Sequence, residues 1–315
     1  MEVSFAALGV RLRTFDAVLI AGPTASGKSA LALSLARDYG GAVINADAMQ
    51  VYRELRIVSA RPDAREEALA PHYLYGFTGA LEPFSVGRWL EAASAALEDV
   101  RAKGLLPIIV GGTGLYFAAL LNGLSPIPEI HASIRVEARQ KLTELGNERF
   151  HAELSARDPQ MGARLNPGDS QRLVRAWEVI EATGQSLAEW QALKGTPVLE
   201  GDLARFVLKP NREWLIARIA RRFQTMMEAG ALDEVRALSG ISSDLPAARA
   251  LGVPQLLAHL EGRLTLEQAV EQAVAQTRQY AKRQMTWFRH QMPDWRVIER
   301  SDALGIAELI GATLE

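Results

Sequence analysis

The sequence predicts an α/β fold: a parallel sheet core interrupted by a helical insertion. Three observations carry that prediction. The apolar run Ala17-Val18-Leu19-Ile20 is followed at once by the glycine-containing stretch GPTASGKS, Gly22 to Ser29, and then by a helix-period segment. That order of strand, loop and helix opens a parallel βαβ unit. From about Ile130 to Gly195 only helix-period segments with polar turns occur, and Arg205-Phe206-Val207-Leu208-Lys209 then restores a strand.

The elements follow in order. Met1 to Phe15 reads as a short leader, because Arg11 and Arg13 come after its apolar stretch, where a signal peptide would put charge first. Ala17 to Ile20 is a buried strand, and Ser29 to Tyr39 a helix with Leu31, Leu33, Leu35 and Ala36, stopped by Gly40-Gly41. Ala42-Val43-Ile44 is a second strand, ending at Asn45-Ala46-Asp47. The segment Gly87 to Lys103 has Trp89, Leu90, Ala93, Leu97 and Val100 at helical spacing, and Leu106 to Val110 forms a third strand. Gly111-Gly112-Thr113-Gly114 then leads into an apolar helix, Leu115 to Leu121.

The texture changes after Ser125-Pro126-Ile127-Pro128. Helical segments are expected at Ala132 to Leu145, Glu148 to Ala156, Ser170 to Thr183 and Ser186 to Leu193. After the strand at Arg205 come helices Arg212 to Ala229, Ala248 to Leu260 and Leu266 to His290, and Trp295 to Ile298 makes a last strand. The expected organisation is therefore a core in two parts, residues 1–128 and 205–315, around an insertion at 129–204.

Composition narrows the function. The 315 residues are 48% hydrophobic and 23% charged, with 37 acidic and 35 basic residues and a net charge of −2. Such a balance gives no global attraction to nucleic acid, so any basic surface is local. With no cysteine, disulfides and thiolate metal sites are excluded, and a reducing cytoplasm fits. No apolar run approaches the ~20 residues that span a bilayer.

Gly22, Gly27, Lys28 and Ser29 match G-x-x-x-x-G-K-S in its required context, between a strand and a helix, which makes the core P-loop NTPase-like. Pro23, Thr24, Ala25 and Ser26 complete the cradle. Its backbone N–H groups wrap phosphate oxygens, Lys28 brings a mobile charge, and Ser29 offers a hydroxyl to Mg²⁺. The loop alone does not say whether the phosphate is that of ATP or of a diphosphate ester. A phosphoryl-transfer ATPase usually carries an acid after a strand of this kind. Here Ile108-Ile109-Val110 runs into glycines and Thr113.

Asp47 ends the second strand, where open parallel sheets bind ligands. Magnesium ligand, general base and simple turn cap are its three candidate roles. Thr113 occupies the matching place after the third strand, and its flanking glycines suit either a close ligand or a tight turn. Arg172 and Arg175 share a helix face. Arg278, Lys282, Arg283, Arg289 and His290 line a later helix with Gln276, Gln284 and Trp287, a face that either grips RNA or is simply solvated. Arg218, Arg221 and Arg222 are surface charges or diphosphate ligands.

Taken together, GPTASGKS, DAMQVY (Asp47 to Tyr52), VGGTGLY (Val110 to Tyr116), QRLVRAWEVI (from Gln171) and TRQYAKRQMTWFRH (from Thr277) resemble the tRNA dimethylallyltransferases, or isopentenyl-tRNA transferases. The likeness runs in order from about residue 17 to about residue 290. It implies a P-loop-type core whose helical insertion helps grasp the tRNA anticodon stem-loop. The implied reaction is transfer from dimethylallyl diphosphate to the N6 amine of adenine 37, beside the anticodon.

The resemblance implies catalytic roles for Asp47 and Thr113, diphosphate binding by the loop and by Arg222, and Mg²⁺ at Ser29. It implies tRNA contacts at Asp47, Ala48, Met49, Gln50, Thr113, Arg135, Gln171, Arg172, Leu173, Val174 and Arg175, and in the turn Arg249 to Pro254, which holds Gly252. The chain departs from the family pattern at Ala48, at Val58-Ser59-Ala60-Arg61-Pro62 and at Gly252-Val253-Pro254. Without cysteine the zinc finger of eukaryotic members cannot form, so the chain is of bacterial type, and a cytoplasmic monomer is the default. The alternatives are a small-molecule kinase that uses Asp47 on an acceptor hydroxyl, and a nucleotide-dependent binding module.

Overall fold

The computed structural model describes residues 15–299, so the leader assigned to Met1 to Phe15 lies, apart from Phe15, outside the described residues. In order the chain forms β1 (Ala17–Ala21), α1 (Lys28–Tyr39), β2 (Gly41–Asn45), α2 (Ala64–Leu69), β3 (His72–Tyr73), α3 (Val86–Ala102), β4 (Leu106–Gly111) and α4 (Gly114–Asn122). There follow α5 (Ala132–Arg157), α6 (Pro159–Arg164), α7 (Ser170–Thr183) and α8 (Leu187–Ala192). The chain then returns through β5 (Leu203–Leu208), α9 (Arg212–Glu228), α10 (Ala231–Arg236), a 3₁₀ turn (Pro246–Arg249), α11 (Val253–Leu260), α12 (Leu266–Gln291) and β6 (Arg296–Ile298).

The six strands form one sheet in the order β3-β2-β4-β1-β5-β6, with every pairing parallel. β1 is central, pairing Val18 with Ile108 on one side and with Ala204 on the other. A strand covered on both faces must be apolar throughout, and all five residues of β1 are buried. The period of two then divides them. Ala17, Leu19 and Ala21 pack with Trp89, Phe117, Phe223 and Phe288, whereas Val18 and Ile20 pack with Leu31, Leu35 and Phe206. Each large side chain so buried contributes about 1.5–3 kcal/mol.

One expectation needs correcting. The helix expected over Ala248 to Leu260 is a 3₁₀ turn and a separate helix, because Gly252 has φ +90° and a Cβ there would stand 2.9 Å from Phe223. The break expected between Leu145 and Glu148 is present: within α5, Gly146 at φ +70° is not helical and separates two helical stretches. The described residues divide into two compact units, one of residues 15–121 with 198–299 and one of Asn122–Pro197.

Within the second unit, α5 to α8 enclose a core of Phe150, Leu154, Leu173, Trp177 and Val179. Its two ends meet backbone to backbone: a Cβ on Gly123 would lie 2.5 Å from Thr196 N, and one on Gly195 2.5 Å from Leu124 N. That contact closes the unit earlier in the chain, at both ends, than the bounds 129–204 drawn from composition.

Candidate active site

The phosphate loop leaves the carboxyl end of β1. Ala25 at φ +64° and Gly27 at φ +93° alternate with ordinary residues, the backbone pattern of an anion-binding nest at the start of α1. Gly22 has no room for a side chain, since a Cβ would lie 2.9 Å from Ser26 Oγ and 3.1 Å from Leu208. Ser26 Oγ is itself buried without a hydrogen-bond partner in the described structure, a cost that a bound anion would relieve.

Two cations face this loop. Lys28 is buried, with Nζ 3.4 Å from Pro23 O, and burial pulls its pKa down to about 8 while the Asp47 charge opposes the fall. Burial likewise pulls Arg222 on α9 down to about 10, again opposed by Asp47, so it stays charged at neutral pH. Its guanidinium donates to Thr24 Oγ1.

Asp47 follows β2. Its backbone N–H donates to Asn45 Oδ1 at 2.9 Å, and Asn45 Nδ2 donates to the carbonyls of Asp47 and Leu74, each at 3.0 Å. Asn45 is fully buried and also accepts Trp89 Nε1 on its own carbonyl at 3.0 Å. Asp47 Oδ1 accepts the Met49 N–H at 3.0 Å, so the capping role is real. It occupies one carboxylate oxygen. Oδ2 remains, 3.4 Å from the point where a Cβ on Gly112 would stand. Cap and reactive base are thus compatible in one side chain.

Thr113 Oγ1 accepts Ala48 N–H at 2.9 Å, and its backbone N–H donates to Ala46 O at 3.1 Å, tying the end of β4 to the end of β2. The flanking glycines serve close packing of protein on protein. A Cβ would run into the Ala46 backbone at Gly111, the Gln284 amide at Gly112 and the Trp287 ring at Gly114.

Thr24, Asp47 and Arg222 border an open cleft. Thr24, Asp47, Arg222, Thr277 and Tyr280 supply polar lining, and Met49, Val58, Ile219, Phe223, Met226 and Leu251 apolar lining. Tyr280 is hydrogen-bonded to Thr113, and burial with the nearby Asp47 charge raises its phenol well above the usual range, so it stays protonated. Glu234 fixes the segment leading to Val58 by accepting the N–H groups of Arg56 (2.8 Å), Ile57 (2.7 Å) and Val58 (2.8 Å). Gln50 Nε2 holds the next stretch, donating to Ser59 O at 3.0 Å and Ala60 O at 2.9 Å.

The structure therefore brings together Asp47, Met49, Thr113, Thr24, Lys28 and Arg222. Gly252 caps α11 just beyond the lining residue Leu251, and Arg249 is exposed, donating to Ser243 O. Ser29 is an exposed hydroxyl on the first turn of α1. The other predicted contacts lie on the helical unit. Arg135, Gln171 and Arg172 are exposed there, Arg172 lies 3.3 Å from Asp169, and Arg175 lies 3.3 Å from Glu178. Leu173 is a correction, because its side chain is fully buried in that unit's core and serves packing, with Val174 packed beside it.

Gln284 is a second correction. It leaves the basic face of α12 and is buried, while Arg278, Lys282, Arg283, Arg289 and His290 remain exposed. Sequence reasoning passed over Asn45, Glu234 and Tyr280. Only Asn45 had a signal, a polar residue closing an otherwise apolar strand.

The chain matches the IPP transferase model over residues 50–291 and the isopentenyl transferase model over residues 15–76. It is 54% identical to a tRNA dimethylallyltransferase of Rhodopseudomonas palustris, covering 91% of this chain and 90% of that one. A tRNA dimethylallyltransferase of Methylocella silvestris is 53% identical, over 93% and 98%.

Among solved structures, the full-length tRNA isopentenylpyrophosphate transferase of Bacillus halodurans superposes with a TM-score of 0.65 at 32% identity, covering 94% and 96%. A eukaryotic dimethylallyltransferase acting on tRNA superposes at 0.76, with 27% identity and coverage of 92% and 74%. With the P-loop core, a family model matched over residues 50–291 and relatives matched along nearly their whole length, the chain belongs to the IPP transferase family.

Proposed function

We propose that the chain transfers the dimethylallyl group of dimethylallyl diphosphate to the N6 amine of adenine 37, 3′ of the tRNA anticodon, and releases diphosphate. The observation that carries this reading is the composition of one cleft. The carboxylate Asp47 and the buried cation Arg222 stand on its polar lining, buried Lys28 of the phosphate loop feels the charge of both, and the apolar lining suits a five-carbon tail.

An exocyclic adenine amine is a weak nucleophile, because its lone pair is delocalised into the ring. In the transfer that lone pair forms the N6–C1 bond as the C1–O bond to diphosphate breaks with its electron pair. The Oδ2 atom of Asp47 takes the amine proton, help worth about 10²–10⁴ in rate. Charge growing on the diphosphate is met by Lys28, Arg222 and the loop N–H groups, placed before reaction and buried from water. Thr113 and Tyr280 set the side of the cleft where the amine arrives, and the adenine leaves its stack to reach it.

The residues fit Mg²⁺ as a companion of the substrate. Among the described residues no three His, Cys, Asp or Glu side chains gather, and Ser29 is a single exposed hydroxyl. Mg²⁺ takes few protein ligands when phosphate oxygens complete its shell. When bound, it would add to the neutralisation of the leaving group, held on the protein side by Ser29.

The exposed Arg135, Gln171 and Arg172 of the helical unit would meet the anticodon stem, with phosphate contacts for position and the cleft for the reacting base. One chain is sufficient as a monomer, since every cleft residue named lies in one compact unit. No described helix is long and apolar enough to cross a membrane. A tRNA substrate would fit an enzyme of the cytoplasm.

The test is to incubate the protein with an anticodon stem-loop RNA, Mg²⁺ and either dimethylallyl diphosphate or ATP. Prenylated adenosine without ATP is the expected product. ATP turnover with unmodified RNA would overturn the reading.

A further inference from the structure

We propose that Gln284 is a positioning residue whose side-chain amide sets the distance between the phosphate loop and the Gly112-Thr113 turn. The inference rests on the transfer reading above: it concerns the spacing between the leaving diphosphate and the groups that receive the amine. Gln284 lies on α12 and is only 5% exposed. Its Oε1 accepts the Thr24 N–H at 2.9 Å, and its Nε2 donates to Gly112 O at 2.8 Å. These two backbone partners, one a donor and one an acceptor, fix which way the amide points.

The place of this bridge matters. The pairing of β1 with β4 ends at Ala21 and Gly111, so Thr24 and Gly112 lie just past the last paired residues. No ladder bond holds the loop and the turn at a set spacing there, and Gln284 spans them. Thr24 also receives Arg222 on its hydroxyl, and Thr113, next to Gly112, receives Ala48 N–H. Gln284 thus joins the diphosphate side of the cleft to the amine side through hydrogen bonds alone. Gly112 is required for it, because a Cβ there would occupy the amide's position. A leucine or methionine would fill this buried place without the cost of desolvating an amide, which argues that the two hydrogen bonds are what the position needs.

The full-length wild type is run beside Gln284→Met and Gln284→Glu in single-turnover transfer to the stem-loop RNA. Titratable and charged groups around the position are Asp47 after β2, Lys28 in the loop, Arg222 on α9 and Tyr280 one turn earlier on α12. Each rate is therefore read as a ratio to wild type at the same pH. Gln284→Met should lower the transfer rate by about 100-fold, the scale of a small misplacement of reacting groups, and leave RNA affinity within about twofold.

The carboxylate of Gln284→Glu accepts from Thr24 but repels Gly112 O, whereas the protonated acid restores both bonds. Its ratio to wild type should therefore climb as pH falls from about 8 to about 6, approaching tenfold per unit above its own pKa. A flat Gln284→Glu ratio, or a Gln284→Met rate within about threefold of wild type, refutes the positioning role while wild-type transfer stands. An inactive wild type refutes the transfer reading and this inference with it. If Gln284→Met does not fold, the Gln284→Glu profile decides.

Discussion

If Lys28 receives the diphosphate as proposed, binding of the prenyl donor should be a proton-linked event. Burial holds its ammonium at about 8, so in the free protein it is about 0.9 protonated near pH 7 and about 0.1 near pH 9. A bound diphosphate restores the full charge, because the anion favours the protonated form. Affinity for dimethylallyl diphosphate should then fall by about tenfold, or about 1.4 kcal/mol, between about pH 7 and about pH 9. Near pH 8 about half a proton should be taken up per donor bound.

Titration calorimetry in two buffers of different ionisation enthalpy measures both quantities. The esterified donor is preferred to inorganic diphosphate, which titrates in the same range. Lys28→Arg, permanently charged, should flatten the profile. The free protein carries the opposite sign. Its folded pKa lies below the ordinary 10.5, so the protonated lysine costs stability below about pH 8, and that cost fades as pH rises toward 10.5. Lys28→Met should accordingly stabilise the apo protein by about 3 kcal/mol at neutral pH while abolishing donor binding. Affinity independent of pH, with no proton uptake near pH 8, would refute this account of the loop.

Asp47→Ala should lower transfer by about 10²–10⁴ with RNA binding largely intact; an active variant would remove the base assignment. Asn45→Ala deletes the side chain that braces Asp47, and urea unfolding should show a loss of about 2–3 kcal/mol alongside slower transfer. Unchanged stability would contradict the clamp. Trp89→Ala removes a fully buried ring stacked on Tyr116 at 4.1 Å, and thermal or denaturant melts should register about 3–5 kcal/mol.

The fold was legible where one physical signal dominated. β1 reads as a strand because it is covered on both faces and so is apolar throughout, and α7 begins and ends where its periodicity does. The 3₁₀ turn before Gly252 was not legible. Its apolar spacing suits a helix, and only a distant Phe223, packed against the glycine, decides otherwise. β3 has two residues, too few for any pattern to register.

In the candidate site, what was legible was place: the phosphate loop from its motif, and Asp47 and Thr113 at the ends of β2 and β4. The braces were not. Glu234 reaches Val58 N across the cleft wall, and Gln284 reaches Thr24 N from α12. Each is an ordinary surface-type residue in sequence, and its role exists only once the sheet has brought distant segments together.

That long reach also sets an order on synthesis. The central strand is made early, yet one of its two neighbours, β5, follows only after the whole helical unit has been translated. The amide that secures Thr24 comes 260 residues after it. A growing chain therefore carries its phosphate-binding motif for most of translation with the nest unbraced and the cleft unwalled. The proposed donor site is thus complete only when almost the entire chain exists.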